Sequence, residues 1–200
     1  GAGDVNRDGF SDVIVGAAWD SNPEHHEGRA YVYHGSAAGL STVADVVLET
    51  NRADGAFGIS VDSAGDLNSD GYSDVIVGAD GDSGPLGGEG RAYVFLGSAV
   101  GIASQAAWHT EGDIAYGGLG ASVAGIGDFD GDGFSDLAIG APFSDSLALQ
   151  AGLVELYRGN AGPGRPVLAR QLRGGGDPTP VQRWGLTHSG GDFQVSMTAT

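Results

Sequence analysis

The sequence contains no cysteine among its 200 residues. That excludes a disulfide scaffold, thiolate zinc sites and a cysteine nucleophile. Lysine is also missing, so all nine basic residues are arginine. A phosphate-cradling Gly-x-x-x-x-Gly-Lys loop is therefore impossible. Positive charge is scarce altogether: nine basic residues face 26 acidic ones, for a net charge of −17. Nucleic-acid surfaces need clustered positive charge, so no nucleic-acid partner is expected. No apolar run approaches the ~20 residues of a spanning helix, and no membrane insertion is expected. There is no Gly-x-Ser-x-Gly nucleophile elbow. With no starting Met and no charged-then-apolar leader, the chain reads as a mature protein or an excised fragment.

What is present points one way. Hydrophobic residues make up 40%, enough for a core. The acids are 20 Asp and only six Glu, a bias against helical surfaces, which favour Glu and Lys. Aspartate suits turns, and clustered aspartates suit hard cations. The 38 glycines follow no collagen period and imply many turns and close backbone approaches.

A repeat organises these residues. The stretch Asp4-Val5-Asn6-Arg7-Asp8-Gly9-Phe10-Ser11-Asp12, followed by Val13–Val15 and Gly16-Ala17, recurs from Asp66 to Ala79 and from Asp128 to Ala141. Both steps are 62 residues, and Gly28, Gly90 and Gly152 keep the same register. Inside the unit, Phe57–Val61 and Leu119–Val123 are first-strand candidates. The acidic loop follows. Then come β-branched runs at Asp74–Gly78, Val13–Val15 and Leu137–Ile139, which read as buried strands. Third strands are expected at Gly90–Phe95, Gly28–Tyr33 and Gly152–Tyr157, and weaker fourth ones at Val46–Thr50 and Ala106–Thr110. Four short antiparallel strands per unit, with no convincing helix, fit the blade of an all-β propeller.

The literal Phe57-Gly58 and Gly140-Ala141-Pro142, with an Asp-rich loop between such elements, resemble FG-GAP repeats, the blades of integrin α propellers and of many secreted bacterial proteins. The resemblance covers about residues 1–160. Departures are Leu119 in place of Phe, and Gly16-Ala17-Ala18 and Gly78-Ala79-Asp80 in place of Gly-Ala-Pro. Propellers of this kind usually close with seven blades. About three are present, and the chain begins inside a unit. The resemblance thus implies a fragment of a larger propeller, completed by further blades of the same protein or by partner chains. Residues 161–200 break the register and form a Pro/Gly/Arg-rich linker, then the start of a degenerate blade or a further β domain. Trp184-Gly185 and Gly191-Asp192-Phe193 echo the repeat there.

Each acidic loop has the form Asp-x-(Asp/Asn)-x-Asp-Gly-(Phe/Tyr)-Ser-Asp. Calcium takes 6–8 oxygens at about 2.3–2.6 Å. Side chains at positions 1, 3, 5 and 9, with the carbonyl at 7, can wrap one ion. The expected ligands are Asp4, Asn6, Asp8, Phe10 and Asp12. In the second loop they are Asp66, Asn68, Asp70, Tyr72 and Asp74. In the third they are Asp128, Asp130, Asp132, Phe134 and Asp136. An EF-hand is rejected because position 12 is Val15, Val77 or Ile139, inside a strand-like run, instead of Glu. A solvated Asp-Gly turn is the plainer alternative for one loop. Three loops repeating the same oxygen positions favour three Ca²⁺ ions, which would move the formal charge from −17 to −11.

Outside the loops, Glu24-His25-His26-Glu27 is the most suggestive catalytic cluster. It lies in a connection between strands and reads as an exposed polar loop without counterpart in the other units. His34, His109 and His188 are isolated. Trp19 and Trp108 could stack on sugars, with core or rim packing as the alternative. No catalytic residues are assigned, and the chain is not expected to be an enzyme. The leading expectation is a Ca²⁺-stabilised, secreted or cell-surface propeller for adhesion or ligand binding. A protein or carbohydrate would be met by the connections Ser21–Glu27 and Asp82–Glu89. The alternative is the propeller region of a secreted enzyme, for instance a polysaccharide-acting one, with its active site elsewhere.

Overall fold

A computed structural model describes residues 1–144 and 152–160 of the chain. Its first sheet is made of β1 (Val13–Ala17), β2 (Arg29–Tyr33) and β3 (Val46–Leu48), in that order. The second contains β4 (Ser60–Gly65), β5 (Asp74–Ala79), β6 (Arg91–Phe95) and β7 (Trp108–Glu111), also in chain order. The third joins β8 (Ser122–Gly127), β9 (Asp136–Ala141) and β10 (Leu153–Tyr157), with β9 in the middle. All pairings are antiparallel. There is no helix among the described residues, and none of them form a helix able to cross a membrane. Each sheet is one 62-residue unit, so the units are the blades of a β-propeller.

The β-branched run at Asp74–Ala79 forms a strand because both of its faces are covered. Pleating sends alternate side chains to opposite faces. Val75, Val77 and Ala79 join a core with Ile14, Val32, Leu48 and Phe57 on one side. Ile76 joins Leu119, Leu137, Ile139 and Tyr157 on the other. Phe57 is fully buried and meets Tyr93 and Phe95 edge-on, with ring centroids 5.6 and 6.0 Å apart. Leu119 fills the equivalent place in the second core, where Tyr157 packs on Trp108 at 5.2 Å. Trp108 is thus a packing residue, the alternative weighed against sugar stacking.

One expectation needs correction. The first strands start later than Phe57 and Leu119, at Ser60 and Ser122. Gly58 and Gly120 both adopt φ of 88°, which breaks an extended run, so Phe57 sits in a turn and Leu119 makes only an isolated bridge to Gly90. Among the described residues, the middle blade shows all four strands. In the first, a Gly3–Asp12 bridge stands at the place where the second blade pairs Gly65 with Asp74. The counterpart of β7 in the third blade would lie beyond residue 160. Residues 161–200, with the echo at Trp184–Phe193 and His188, lie outside the described residues.

Candidate metal centres

The three acidic loops connect the first and second strand positions of their blades, and they share one hydrogen-bond plan. In the first, Asp4 accepts from the backbone N–H of Asp8 at 3.0 Å and of Gly9 at 2.9 Å. Asn6 Oδ1 accepts from Asp8 N–H at 3.1 Å, and Asp8 Oδ1 from Phe10 N–H at 2.9 Å. Asp12 is buried and accepts from Val5 N–H at 2.7 Å and from Gly35 N–H at 2.8 Å. The second loop repeats this around Asp66, Asn68, Asp70 and Asp74, with Tyr72 donating to Asp70. The third does so around Asp128, Asp130, Asp132 and Asp136, with Phe134 donating to Asp132. Gly at position 6 has φ of 90°, 90° and 94°, a conformation open to glycine at no steric cost.

A carboxylate oxygen that accepts one N–H keeps a lone pair; Asp128 Oδ1 accepts two, from Gly131 and Asp132, while its Oδ2 accepts one, from Gly133. The donor set is all oxygen and strongly acidic, which fits a hard divalent cation. In the third loop, carboxylate oxygens of Asp128, Asp130 and Asp136 lie within 4.8 Å of one another. Burial pushes the Asp74 carboxyl up to about 7, and the carboxylates of Asp70 and Asp66 add to the rise. Asp136 is raised for the same reasons, with Asp132 and Asp128 as neighbours. A cation among these groups would offset that cost. The third loop has Asp130 where the others have Asn, and Arg158 forms an ion pair with it. The same position in the other blades holds His34 and Leu96. Net of this pair the third loop carries three acidic side chains, as each of the others does, and the guanidinium of Arg7 lies against Gly71 of the second loop.

The serine at position 8, to which no role was assigned from sequence, joins loops of neighbouring blades. Ser73 N–H donates to the Asp4 carbonyl at 3.1 Å, and Ser73 Oγ accepts from Asp4 N–H at 3.2 Å. Ser135 bonds to Asp66 in the same two ways, at 3.0 and 3.1 Å. The loops thus lie in a row along one edge of the blade stack.

A family model described as FG-GAP repeat matches residues 1–33, 57–95 and 119–164. The chain belongs to the FG-GAP repeat family. It is 34% identical over 148 residues to integrin alpha-7 of Rattus norvegicus, covering 73% of this chain and 12% of that protein. It is 35% identical over 156 residues to integrin alpha-PS5 of Drosophila melanogaster, covering 74% and 15%. Integrin alpha-6 of Gallus gallus matches at 33% over 153 residues, covering 73% and 13%. The chain spans about an eighth of the length of these relatives. The likeness supports a β-propeller scaffold built of FG-GAP blades.

The two FG-GAP signatures meet in space. The glycine of Phe57-Gly58 donates its N–H to the carbonyl of Gly78 at 2.9 Å, and Gly120 does so to Gly140 at 3.0 Å. A Cβ on Gly16 would collide with the Gly58 carbonyl of the next blade, and one on Gly78 with that of Gly120. The FG and GA glycines are therefore the points where adjacent FG-GAP blades touch backbone to backbone.

A second repeated feature escaped the sequence reading. Asp20, Glu27, Arg29, Tyr31 and Glu49 step by 62 to Asp82, Glu89, Arg91, Tyr93 and Glu111. Tyr31 donates to Asp20 at 2.8 Å, and Tyr93 to Asp82. Arg29 pairs with Glu49 and Arg91 with Glu111, both at 2.7 Å. Glu27 and Glu89 are buried, accepting from the N–H of Asn22 and Gly84. This corrects the expectation that Glu24–Glu27 is an exposed loop without counterpart. Glu27 repeats because it anchors the turn before Gly28. The 62-residue register was the signal that could have found it. Within the proposed ligand connections, Asp82 and Glu89 are likewise buried scaffold, while Ser21–Pro23, His25, Ser83, Pro85 and Leu86 are exposed.

Proposed function

We propose that the chain is a non-catalytic, calcium-stabilised propeller region that works outside the cell, secreted or at the cell surface, as a scaffold for adhesion or ligand binding. The observation that carries this reading is the row of three loops with one plan of oxygen donors. Each loop would hold one Ca²⁺: through Asp4, Asn6, Asp8, Asp12 and the Phe10 carbonyl; through Asp66, Asn68, Asp70, Asp74 and the Tyr72 carbonyl; and through Asp128, Asp130, Asp132, Asp136 and the Phe134 carbonyl. The cation supplies charge compensation at the blade edge. The protein's own part is to hold the carboxylates together through backbone N–H bonds and to link one loop to the next through Ser73 and Ser135. Ion binding to the folded state alone stabilises that state by mass action.

A protein or carbohydrate ligand would be met by the exposed parts of the connections at 21–25 and 83–86. Loops on a rigid scaffold diversify without disturbing the core. The remaining blades of the propeller would come from the same protein or from partner chains. Calorimetry of chelator-treated protein with Ca²⁺ tests the reading. Three sites are expected, and a stoichiometry of zero overturns it.

A further inference from the structure

We propose that His25, His26 and Asp54 form a binding site for one borderline transition-metal cation of the Zn²⁺ class, separate in place and chemistry from the acidic loops. One ligand atom from each of these residues lies within 4.8 Å of the others. His25 Nδ1 is 2.7 Å from Asp54 Oδ1, and His26 Nδ1 is 4.0 Å from the same oxygen. The imidazole rings lie face to face, with centroids 3.8 Å apart and planes tilted by 35°. Two ring nitrogens thus converge on one carboxylate oxygen, which only His25 reaches with a hydrogen bond. A cation between them would engage all three. Imidazole with carboxylate is a donor set for Zn²⁺, Ni²⁺ or Cu²⁺ rather than for Ca²⁺.

The convergence does not depend on the side chains bonding to one another. Asp54 N–H donates to the His25 carbonyl at 2.6 Å, and Ala56 N–H to the His26 carbonyl at 3.1 Å. His26 N–H donates to Ser21 Oγ at 2.9 Å. The connection inside the first blade is thereby pinned to the segment that leads into the second.

The second blade has this backbone without the ligands. Tyr116 N–H donates to the Gly87 carbonyl at 3.0 Å, and Gly118 N–H to that of Gly88 at 3.3 Å. Gly88 has φ of 63° and Tyr116 of 58°; His26 has 45° and Asp54 58°. Glycine takes the left-handed conformation without strain, whereas a side chain there carries a cost. Where the second blade uses Gly87 and Gly88, the first places two imidazoles and adds a carboxylate opposite. Glu27, Arg29, Tyr31 and Glu49 keep their counterparts Glu89, Arg91, Tyr93 and Glu111, so the exchange of glycine for histidine falls within an otherwise repeated connection.

Three protein ligands leave one position of a tetrahedral ion free. The side chains of His25 and Asp54 are each 70% exposed, so that position faces solvent and can take water or an acidic group of a partner. Trp19, 67% exposed, meets His26 edge-on at 5.4 Å and reports on the site optically.

The test uses the whole chain saturated with Ca²⁺, so that the acidic loops are filled. Calorimetric titration with Zn²⁺ should give one site, and Cu²⁺ should quench tryptophan fluorescence with the same stoichiometry. The double variant His25→Gly, His26→Gly copies the backbone chemistry of the second blade and should keep its melting temperature. It should lose at least about tenfold in Zn²⁺ affinity, as should Asp54→Asn. His34→Ala and His109→Ala should bind as the parent does. No Zn²⁺ binding, or parental affinity in the double glycine variant, would overturn the site.

Discussion

The hydroxyl oxygen of Ser73 accepts the backbone N–H of Asp4 at 3.2 Å, so position 8 of one acidic loop holds position 1 of the loop before it. Removing that acceptor leaves the Asp4 N–H without its partner. Ser73→Ala should cost about 1 kcal/mol, the net worth of one such bond. Ser11→Ala, at the same loop position but exposed and holding no loop among the described residues, should stay within about 0.5 kcal/mol. Denaturant melts in Ca²⁺ measure both, and equal effects would refute the coupling.

The calcium reading separates neighbouring positions of one loop. Asp70 accepts from Tyr72 N–H at 3.0 Å and is a proposed ligand, whereas Ser69 is not and has φ of 58°. Asp70→Ala should therefore reduce the rise in melting temperature that Ca²⁺ produces. Ser69→Gly should preserve it, since the third loop already has Gly131 at that position with φ of 77°. Identical melts with calcium and with excess chelator would reduce all three loops to ordinary turns.

Blade contact leaves no room for a side chain at Gly78. A Cβ there would strike the Gly120 carbonyl of the next blade. Gly78→Ala should destabilise by about 3 kcal/mol, as overpacking against rigid backbone does. Val100→Ala, at a position 89% exposed, should stay within about 0.5 kcal/mol. The comparison needs only thermal or urea unfolding of the two variants, and equal losses would contradict the packing.

The acid dependence should show the mark of Glu27. Burial raises its carboxyl pKa above the ordinary value, and a side-chain bond to Glu24 adds to the rise. A carboxyl raised in the folded state favours folding while it is protonated, and this contribution is lost as pH rises through the folded pKa. Glu27→Gln keeps an oxygen for the Asn22 N–H and cannot ionise. Its stability should fall less than the parent's as pH rises from 4 to 7. Parallel stability–pH curves would show that Glu27 does not titrate in this range.

Much of the fold was legible because its signals are local and periodic. The acidic loops, the β-branched run at Asp74–Ala79 and the 62-residue step are each contained in short stretches of chain. The strand starts were misplaced because Phe57 and Leu119 are apolar like strand residues, yet their burial comes from the space between blades. Nothing in Phe57-Gly58 announces that the next glycine turns at φ 88° to reach a carbonyl twenty residues on.

By itself, the sequence determined the blade repeat, the absence of thiol and lysine chemistry, and the oxygen-rich character of the three loops. These follow from residue types at fixed spacing. Only the tertiary structure decided that Glu27 is buried, that Ser73 ties one loop to the next, that Gly78 is a point of contact with the next blade, and that Asp54 stands opposite His25 and His26. Each of these depends on separate parts of the chain meeting at the distance of a hydrogen bond or a van der Waals contact. Such distances are set by how the blades pack, and no single stretch of sequence carries them.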